Sequence, residues 1–275
     1  MPTLACAGAT IAYFQDGGGP DIVWIPGGDN RGRDWADQIA GFRDGYRNTA
    51  YDPRGAGDTI ARIPPPWSIA DFAEDCAALI RGVCRPPVAL IGLSMGSLIV
   101  QEVAIRHPDL VRCAIAMGTA GRISGYLREW MEAEVAYRRA GGTLPQAMAV
   151  AHYGVLMYPP EVLGDDTLWA KVRPFVAVSY GERDGVMLAA QWQACIDFDS
   201  LDRLPACRVP LHVIGFSHDV QAPPAHGRRV AEAAADGHFH LIEGLGHLSL
   251  AGHRPDLVNA TIRSIIERYL PPRRG

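Results

Sequence analysis

Apolar and polar residues show two periodicities along the chain, one typical of strands and the other of helices. Several short segments are almost continuously apolar or alternate in steps of two, which predicts strands. VALIGL is apolar throughout, which indicates a strand covered on both faces. The predicted strands are TIAYF (10–14), DIVWIP (21–26), NTAYD (48–52), VALIGL (88–93), RCAIAMG (112–118), VPLHVIGF (209–216) and HFHLIEG (238–244).

Helical periodicity fills most of the gaps between these strands. Residues 68–83 carry apolar side chains at helical spacing, and Ser68 is a suitable N-cap. Another helix follows residue 93 and is expected to end at His107, because Pro108 disfavours its continuation. Two more helices are predicted, over about 223–236 and over 254–270. Strands that alternate with helices predict a mostly parallel sheet with helices on both faces.

The chain changes character between residues 122 and 204, where the pattern is helical, aromatic and without a clear strand. We therefore predict an α/β core formed by residues 1–121 and 205–275, with residues 122–204 inserted as a helical lid. Because open α/β sheets bind ligands at the carboxyl ends of their strands, we expect the lid to cover that edge. Large lid side chains indicate an apolar pocket, although most could instead pack the lid helices against the core. They are Trp130, Met131, Tyr153, Met157, Trp169 and Trp192.

Composition excludes several classes of function. The 275 residues are 48% hydrophobic with a net charge of −4, and no basic block favours nucleic acid. The six cysteines lack zinc-type spacing and no HExxH motif occurs, so we predict free thiols, a reducing compartment and no metal. Without a signal-peptide pattern or a membrane-length apolar run, the expected location is cytoplasmic, away from membranes. DGGGPD precedes a strand, whereas a dinucleotide-binding glycine turn follows one, so no cofactor is predicted.

The segment GLSMG (92–96) joins the strand VALIGL to the next predicted helix. A G-x-S-x-G turn in this setting strains the serine backbone and exposes its hydroxyl, and the two glycines give the room that so tight a turn needs. Ser94 would also lie at a helix N-terminus, which favours developing negative charge. The alternative is an N-cap serine flanked by glycines. The strand before the motif and the helix after it favour a nucleophile.

A serine nucleophile needs a base, and in this architecture an acid and then a histidine follow it along the chain. His247 lies in a glycine-rich loop after the last predicted strand, where it could reach Ser94. Asp219 follows strand 209–216 and could orient the imidazole or, alternatively, cap the next helix. Other acids and histidines occupy less suitable places in this order. They are His107, Asp197, Asp199, Asp202, His238, His240, Glu243 and His253.

The oxyanion that forms in acyl transfer needs two N–H donors. Met95, directly after the candidate nucleophile, is predicted to supply one of them. Gly28, in the PGGDN loop that follows DIVWI, is predicted to supply the other, although PGGDN could also be a plain glycine turn.

These segments resemble the α/β-hydrolase superfamily, and more narrowly its enol-lactonases, cofactor-free haloperoxidases (perhydrolases) and small carboxylesterases. The resemblance implies Ser94 as nucleophile, His247 as base, Asp219 as acid, and Gly28 and Met95 as oxyanion donors. The similar segments are YDPRGAGDT (51–59), DFAEDCAALI (71–80), GLSMGSLIVQEVAIRHPDLVRCAIAMGTA (92–120), VPLHVIGFSHDVQAPP (209–224) and EGLGHLSL (243–250).

The resemblance implies a serine hydrolase that cleaves an ester, lactone or thioester of a mainly apolar or ring-containing small molecule. Two alternatives remain: perhydrolysis, acyl transfer or cyclisation at the same site, and a ligand-binding protein with little turnover. The chain departs from the family pattern at three positions, with Pro26 for a His, Ser97 for a Gly and Asp58 for a Ser. The first bears on the second oxyanion donor, and the other two are expected to affect packing only.

Overall fold

A computed structural model describes residues 1–180 and 185–273. Residues 181–184 of the predicted lid and residues 274–275 of the predicted core therefore lie outside the described residues. The strands are β1 (Thr3–Ala5), β2 (Ala9–Gly17), β3 (Asp21–Ile25), β4 (Arg47–Tyr51), β5 (Ile60–Ala61), β6 (Val88–Leu93), β7 (Val111–Met117), β8 (Leu211–Phe216) and β9 (Gly237–Ile242). The α-helices are α1 (Ala36–Phe42), α2 (Ile69–Val83), α3 (Met95–Arg106), α4 (Gly125–Arg139), α5 (Gln146–Met157), α6 (Pro160–Leu163), α7 (Asp166–Tyr180), α8 (Gly185–Ile196), α9 (Pro224–Ala233) and α10 (Pro255–Ile266).

The strands form one mostly parallel sheet, which confirms the predicted fold class. Their order is β1-β2-β4-β3-β6-β7-β8-β9, and β5 pairs with β2. The pairs from β4 to β9 are parallel, whereas the three pairs that involve β2 are antiparallel. The strands β3, β6 and β8 are buried along their whole length, as their apolar sequences indicate. The carboxyl ends of β3 and β6–β9 share one edge, so the loops that follow these strands meet there.

The helices pack against the sheet and against one another. The predicted cap of α2 is confirmed, since the Ser68 hydroxyl accepts from the N–H of Asp71 and the Asp71 carboxylate accepts from the N–H of Ser68 at 2.8 Å. As predicted, α3 ends just before Pro108. It packs on β6 and β7 and contacts α2, while α1 contacts α10.

Three elements were not predicted from the sequence. They are β1, β5 and α1, which are all short. The two residues of β5 are too few for any periodicity, and the strand exists because it pairs with β2. The last predicted helix, over 254–270, is also longer than α10, which ends at Ile266.

In the part of the insertion that the structure describes, helices α4–α8 lie between β7 and β8 in chain order, in the segment predicted to be helical. Helix α4 packs against α8 and α5 against α7, while α8 also contacts α3 of the core. An isolated β-bridge between Arg122 and Asp199 joins the two ends of this insertion. The insertion is therefore anchored at its base and through α8.

The six cysteines are all free thiols. Within residues 1–180 and 185–273, no helix has both the length and the apolar character to cross a membrane. Over the same ranges, no group of three or more His, Cys, Asp or Glu side chains is arranged to hold a metal ion.

Candidate active site

Ser94 lies between β6 and α3 in an unusual backbone conformation. Its φ is 56° and its ψ is −125°, which is rare for a residue with a side chain. A Cβ on Gly92 would collide with the Gly96 carbonyl, and a Cβ on Gly96 would collide with the Ile25 carbonyl. Close packing of β3, β6 and α3 therefore imposes the turn. Ser94 occupies the N-cap position of α3, but its hydroxyl makes no capping hydrogen bond, so side-chain capping does not account for a serine here.

Ser97, one of the departures from the family pattern, stabilises this turn. Its buried Oγ donates a hydrogen bond to the carbonyl oxygen of Ser94 at 2.5 Å and lies 2.7 Å from Oγ1 of Thr119. Gln101 donates to the same Thr119 oxygen at 2.8 Å. The expectation that Ser97 affects packing only is therefore wrong, because its hydroxyl fixes the peptide group of Ser94.

Asp219 and His247 are joined by a hydrogen bond, in the loops that follow the neighbouring strands β8 and β9. Nδ1 of His247 lies 2.6 Å from Oδ2 of Asp219, and the two side chains are 4% and 0% exposed. The other carboxylate oxygen accepts from the N–H groups of Gln221 and Ala222 at 2.9 and 2.8 Å. An ionised carboxylate can only accept, so Nδ1 is the donor of this bond, and in the neutral form of the ring Nε2 is then the acceptor.

Gly118, in the loop after β7, makes room for this pair. Its φ of 51° favours glycine, and a Cβ there would lie 2.9 Å from Cε1 of His247 and 3.2 Å from Oδ2 of Asp219. Sequence reasoning did not single out Gly118. Glycine is required at this position because the loops after β7, β8 and β9 meet there, which the sequence around residue 118 does not reveal.

The loop after β3 lies next to Ser94, since a Cβ on Gly27 would be 3.3 Å from the Cβ of Ser94. Asp29 in this loop has a φ of 58°, and its N–H donates to Oε1 of Gln191 at 2.6 Å. Gln191 lies on α8, is fully buried, and donates through Nε2 to the carbonyl oxygen of Arg54 at 2.9 Å. One side chain of the insertion thus holds the loop that contains Gly28.

Arg54 belongs to the family-like segment 51–59, which is held by buried polar contacts. Its guanidinium forms an ion pair with Asp75 at 2.7 Å, and both side chains are buried. The Asp52 carboxylate accepts from the N–H groups of Gly32 and Asp58 at 2.8 and 2.9 Å. The contact at Asp58 comes from its backbone N–H, which any residue except proline would supply, so it does not explain the departure at this position. The segment supports the loops around the site.

Ser94, Met95, Gly28 and His247 line one cavity of about 70 Å³, which we call the serine chamber. No acceptor for the backbone N–H of Gly28 or Met95 is found among the described residues. Asp219 is not part of the wall and bears on the chamber through His247. The insertion supplies about half of the remaining, largely apolar wall. Its contributing side chains include Leu127, Trp130, Met131, Met157, Trp192 and Cys195.

Cys195 also contributes a potentially nucleophilic side chain to this wall, but its thiol stays protonated near neutral pH. Burial raises the pKa of the Cys195 thiol to about 12. The thiolate is the reactive form of cysteine, so this thiol is inert near neutral pH.

Two of the six large lid side chains singled out in the sequence do not line the chamber. Tyr153 is fully buried and its hydroxyl donates to Glu134 at 3.2 Å, while Trp169 packs elsewhere in the insertion. Trp130, which does line the chamber, donates from Nε1 to Nε2 of His152 at 3.3 Å. A polar network inside the insertion therefore supports one wall of the chamber.

The histidines of β8 and β9 lie away from the chamber. His212 stacks between His238 and His240, with ring centroids 4.6 and 5.2 Å apart. Burial, together with the two neighbouring rings, lowers the pKa of His212 to about 3. His107 lies near the surface against Glu74. Of the histidines compared in the sequence, His247 alone lines the chamber within the part of the chain that the structure describes.

Comparisons with known proteins agree with this architecture. A sequence model described as "Alpha/beta hydrolase family" matches residues 22–261. The "Putative non-heme bromoperoxidase BpoC" of Mycobacterium tuberculosis is 31% identical over 266 residues, which cover 92% of this chain and 95% of that protein. Its crystal structure aligns at a TM-score of 0.87 and 29% identity, over 94% of this chain and 96% of that one.

The enol-lactonases are also similar. "3-oxoadipate enol-lactonase 2" of Acinetobacter baylyi is 26% identical over 238 residues, covering 86% of this chain and 84% of that protein. The enol-lactonase from Burkholderia xenovorans LB400 shares the fold, with a TM-score of 0.85 at 24% identity over 96% of this chain and 99% of that one. The chain belongs to the alpha/beta hydrolase family.

Proposed function

We propose that this protein is a serine hydrolase that cleaves a carboxylic ester, lactone or thioester of a mainly apolar small molecule through an acyl-enzyme. The observation that carries the proposal is the 2.6 Å hydrogen bond between Asp219 and His247, because His247 lines the same chamber as Ser94. A serine needs a base and a group that orients this base in order to become a nucleophile, and we assign these roles to His247 and Asp219.

In the proposed reaction, Oγ of Ser94 attacks the substrate carbonyl carbon while Nε2 of His247 takes the hydroxyl proton. His247 then gives this proton to the leaving alcohol, or to the thiol of a thioester. A water molecule next loses a proton to His247 and attacks the acyl-enzyme, which releases the acid and restores Ser94. Asp219 keeps the proton on Nδ1 and stabilises the imidazolium through both proton transfers.

The N–H groups of Gly28 and Met95 are the proposed oxyanion donors. Pro26 has no N–H and takes the place of the family's usual His, but the donor assigned here is two residues further on. Gln191 holds that loop through the Asp29 N–H, which is consequently already engaged and leaves Gly28 for the oxyanion. This arrangement supports a complete oxyanion site despite the departure at Pro26.

We infer that residues 122–204 act as a lid on a core formed by residues 1–121 and 205–275. The insertion supplies about half of the apolar wall of the serine chamber, and this wall favours uncharged, apolar groups beside the scissile bond. We also propose that the protein acts in the cytoplasm, in keeping with its six free thiols.

Perhydrolysis is a second candidate, favoured by the likeness to the mycobacterial protein named a bromoperoxidase. In this variant hydrogen peroxide replaces water in the second half of the reaction, and the product is a peracid. The proposed residues keep the same roles. A peroxide acceptor therefore changes the product without changing the nucleophile.

A fluorophosphonate probe and an ester and lactone panel test the proposed function together. We expect one probe molecule per chain, attached to the peptide that contains Ser94, and a burst of product equal to the labelled fraction. Adding hydrogen peroxide and trapping peracid separates the two acceptors. Saturable ligand binding with neither labelling nor turnover would contradict the proposal and favour the ligand-binding alternative.

Replacing Gln191 with methionine is expected to lower kcat by roughly tenfold or more, with little change in KM. The substitution keeps the length of the side chain but removes both hydrogen bonds that hold the Gly28 loop. Complete loss of an oxyanion donor lowers kcat by roughly 10²–10³-fold, and a displaced donor is expected to lower kcat by less. Steady-state kinetics on one ester, with active-site titration, measure the effect.

Gln193 provides the matched control on the same helix, because the bonds of its side chain to the described residues are those to Arg139 and Asp197 near the surface. Gln193→Met is expected to leave kcat unchanged. A loss in Gln191→Met that appears in KM alone, or that Gln193→Met reproduces, would show that Gln191 does not position the oxyanion loop.

A further inference from the structure

A second and larger cavity adjoins the serine chamber. It has a volume of about 350 Å³ and lies between the loop after β3, the start of α1, helix α7 and residues 248–251. Asn30, Leu93 and Leu248 line both cavities, so the two spaces adjoin across these three side chains, one of which is the direct chain neighbour of Ser94. We call the larger one the side cavity.

The two volumes set different limits on what each space can hold. A cavity of about 150 Å³ lined by aliphatic and aromatic side chains holds one benzene molecule. The serine chamber, at about 70 Å³, is smaller than that, whereas the side cavity, at about 350 Å³, has room for a ring or a long alkyl chain. A substrate with two bulky halves therefore does not fit around Ser94.

The walls of the side cavity are suited to hydrocarbon. Trp35, Phe175, Leu250 and Ala251 contribute apolar surface, and Trp35 and Leu250 are almost fully buried. When the apolar surface of a ligand moves from water onto such walls, it stabilises binding in proportion to the area buried. Charged side chains of residues 33, 34 and 37 also line this space and are exposed, so the charge lies on its solvent side.

We propose that the substrate is asymmetric, with a long or ring-bearing apolar arm in the side cavity and a short arm in the serine chamber. This inference rests on the proposed function, because the ester carbonyl must lie at Ser94 in the serine chamber, and the long arm must pass the shared side chains Asn30, Leu93 and Leu248 to enter the side cavity. It narrows the substrate class from apolar esters in general to those with one short side. The limit on the short side comes from the wall that α4, α5 and α8 supply.

Three isomeric esters test the asymmetry at constant composition: octyl acetate, ethyl octanoate and pentyl pentanoate. One of the first two is expected to exceed pentyl pentanoate in kcat/KM by at least about tenfold, since its long arm has three further methylene groups and burying only two of them is worth about that factor. Which of the two is better shows whether the side cavity takes the alkoxy or the acyl arm. Equal rates for the three isomers would overturn the proposal.

Ala36 and Ala40 provide a matched pair of variants, because both are exposed residues of α1 and only Ala36 lines the side cavity. Ala36→Phe is expected to lower kcat/KM for the preferred long-arm ester by at least about tenfold while changing that for ethyl acetate less than about twofold. Ala40→Phe is expected to change neither. A loss of equal size on the long and short esters in Ala36→Phe would contradict a subsite.

Calorimetric titration with octan-1-ol tests the side cavity without turnover. Octan-1-ol is expected to bind the original protein and Ala40→Phe equally, and Ala36→Phe at least about tenfold more weakly. If octan-1-ol binds in this way while Ser94 remains unlabelled and no ester is cleaved, the proposed function fails and the hydrocarbon site stands. If Ser94 is labelled and esters are cleaved but Ala36→Phe binds octan-1-ol normally, the subsite fails alone.

Discussion

A Ser94→Ala protein is expected to stay folded and to lose nearly all ester hydrolysis. Loss of a serine nucleophile costs roughly 10⁶-fold in kcat, because nucleophile and base act as a unit. The oxyanion donors and the apolar chamber would supply the residual rate. The fold is expected to persist because the Ser94 hydroxyl makes no capping bond to α3, and alanine adds no atom to the turn. Turnover of a p-nitrophenyl ester and the thermal unfolding midpoint measure the two effects.

Cys195→Ala is the control for this variant, since Cys195 is the other nucleophilic side chain in the wall of the chamber. Its thiol is protonated near neutral pH, so its loss is expected to change kcat by less than about fivefold and to leave fluorophosphonate labelling intact. A folded Ser94→Ala protein with more than about a tenth of the original kcat would contradict the proposed nucleophile. Loss of labelling in Cys195→Ala would show that the probe reacts with Cys195 and not with Ser94.

The elements that were predicted correctly depend on short-range patterns. Strand β6 is apolar at every position, and α2 has both a stripe of apolar residues and the capping pair Ser68 and Asp71. The GLSMG turn is recognised from glycines at fixed spacing around Ser94, although one of them, Gly96, is required by the carbonyl of Ile25 on β3. The positions of Asp219 and His247 were predicted from chain order, which carries information because parallel strands all end at one edge of the sheet.

The features that were missed depend on contacts between distant segments. Gly118 is required only because the Asp219–His247 pair packs over it, and Gln191 matters only because α8 reaches the loop after β3. Ser97 is an exception, because it bonds to a carbonyl only three residues away, and its departure from the family pattern was nevertheless expected to affect packing alone. The sizes of the two cavities also depend on how the insertion packs on the core, which no periodicity records.

Asp219→Asn is expected to lower kcat by roughly 10⁴-fold, a loss that follows from the orientation of the new amide. In the original protein Oδ1 accepts two backbone N–H groups and Oδ2 bonds to Nδ1 of His247. The asparagine oxygen is expected to keep the two N–H groups, which leaves its NH₂ group facing Nδ1. Nδ1 must then accept, the proton moves to Nε2, and Nε2 loses its capacity to take the proton of Ser94.

Kinetic constants distinguish this change of tautomer from simple damage to the site. Asp219 does not line the serine chamber, so KM is expected to stay near its original value while kcat and the rate of fluorophosphonate labelling fall together. Asp202→Asn, an exposed change of the same chemistry in the segment before β8, is expected to leave both constants unchanged. If a folded Asp219→Asn protein keeps kcat within about tenfold, then His247 does not depend on Asp219 for its tautomer. A fall in kcat without any change in KM would instead place the effect in proton transfer, the one step that needs Nε2 to be free.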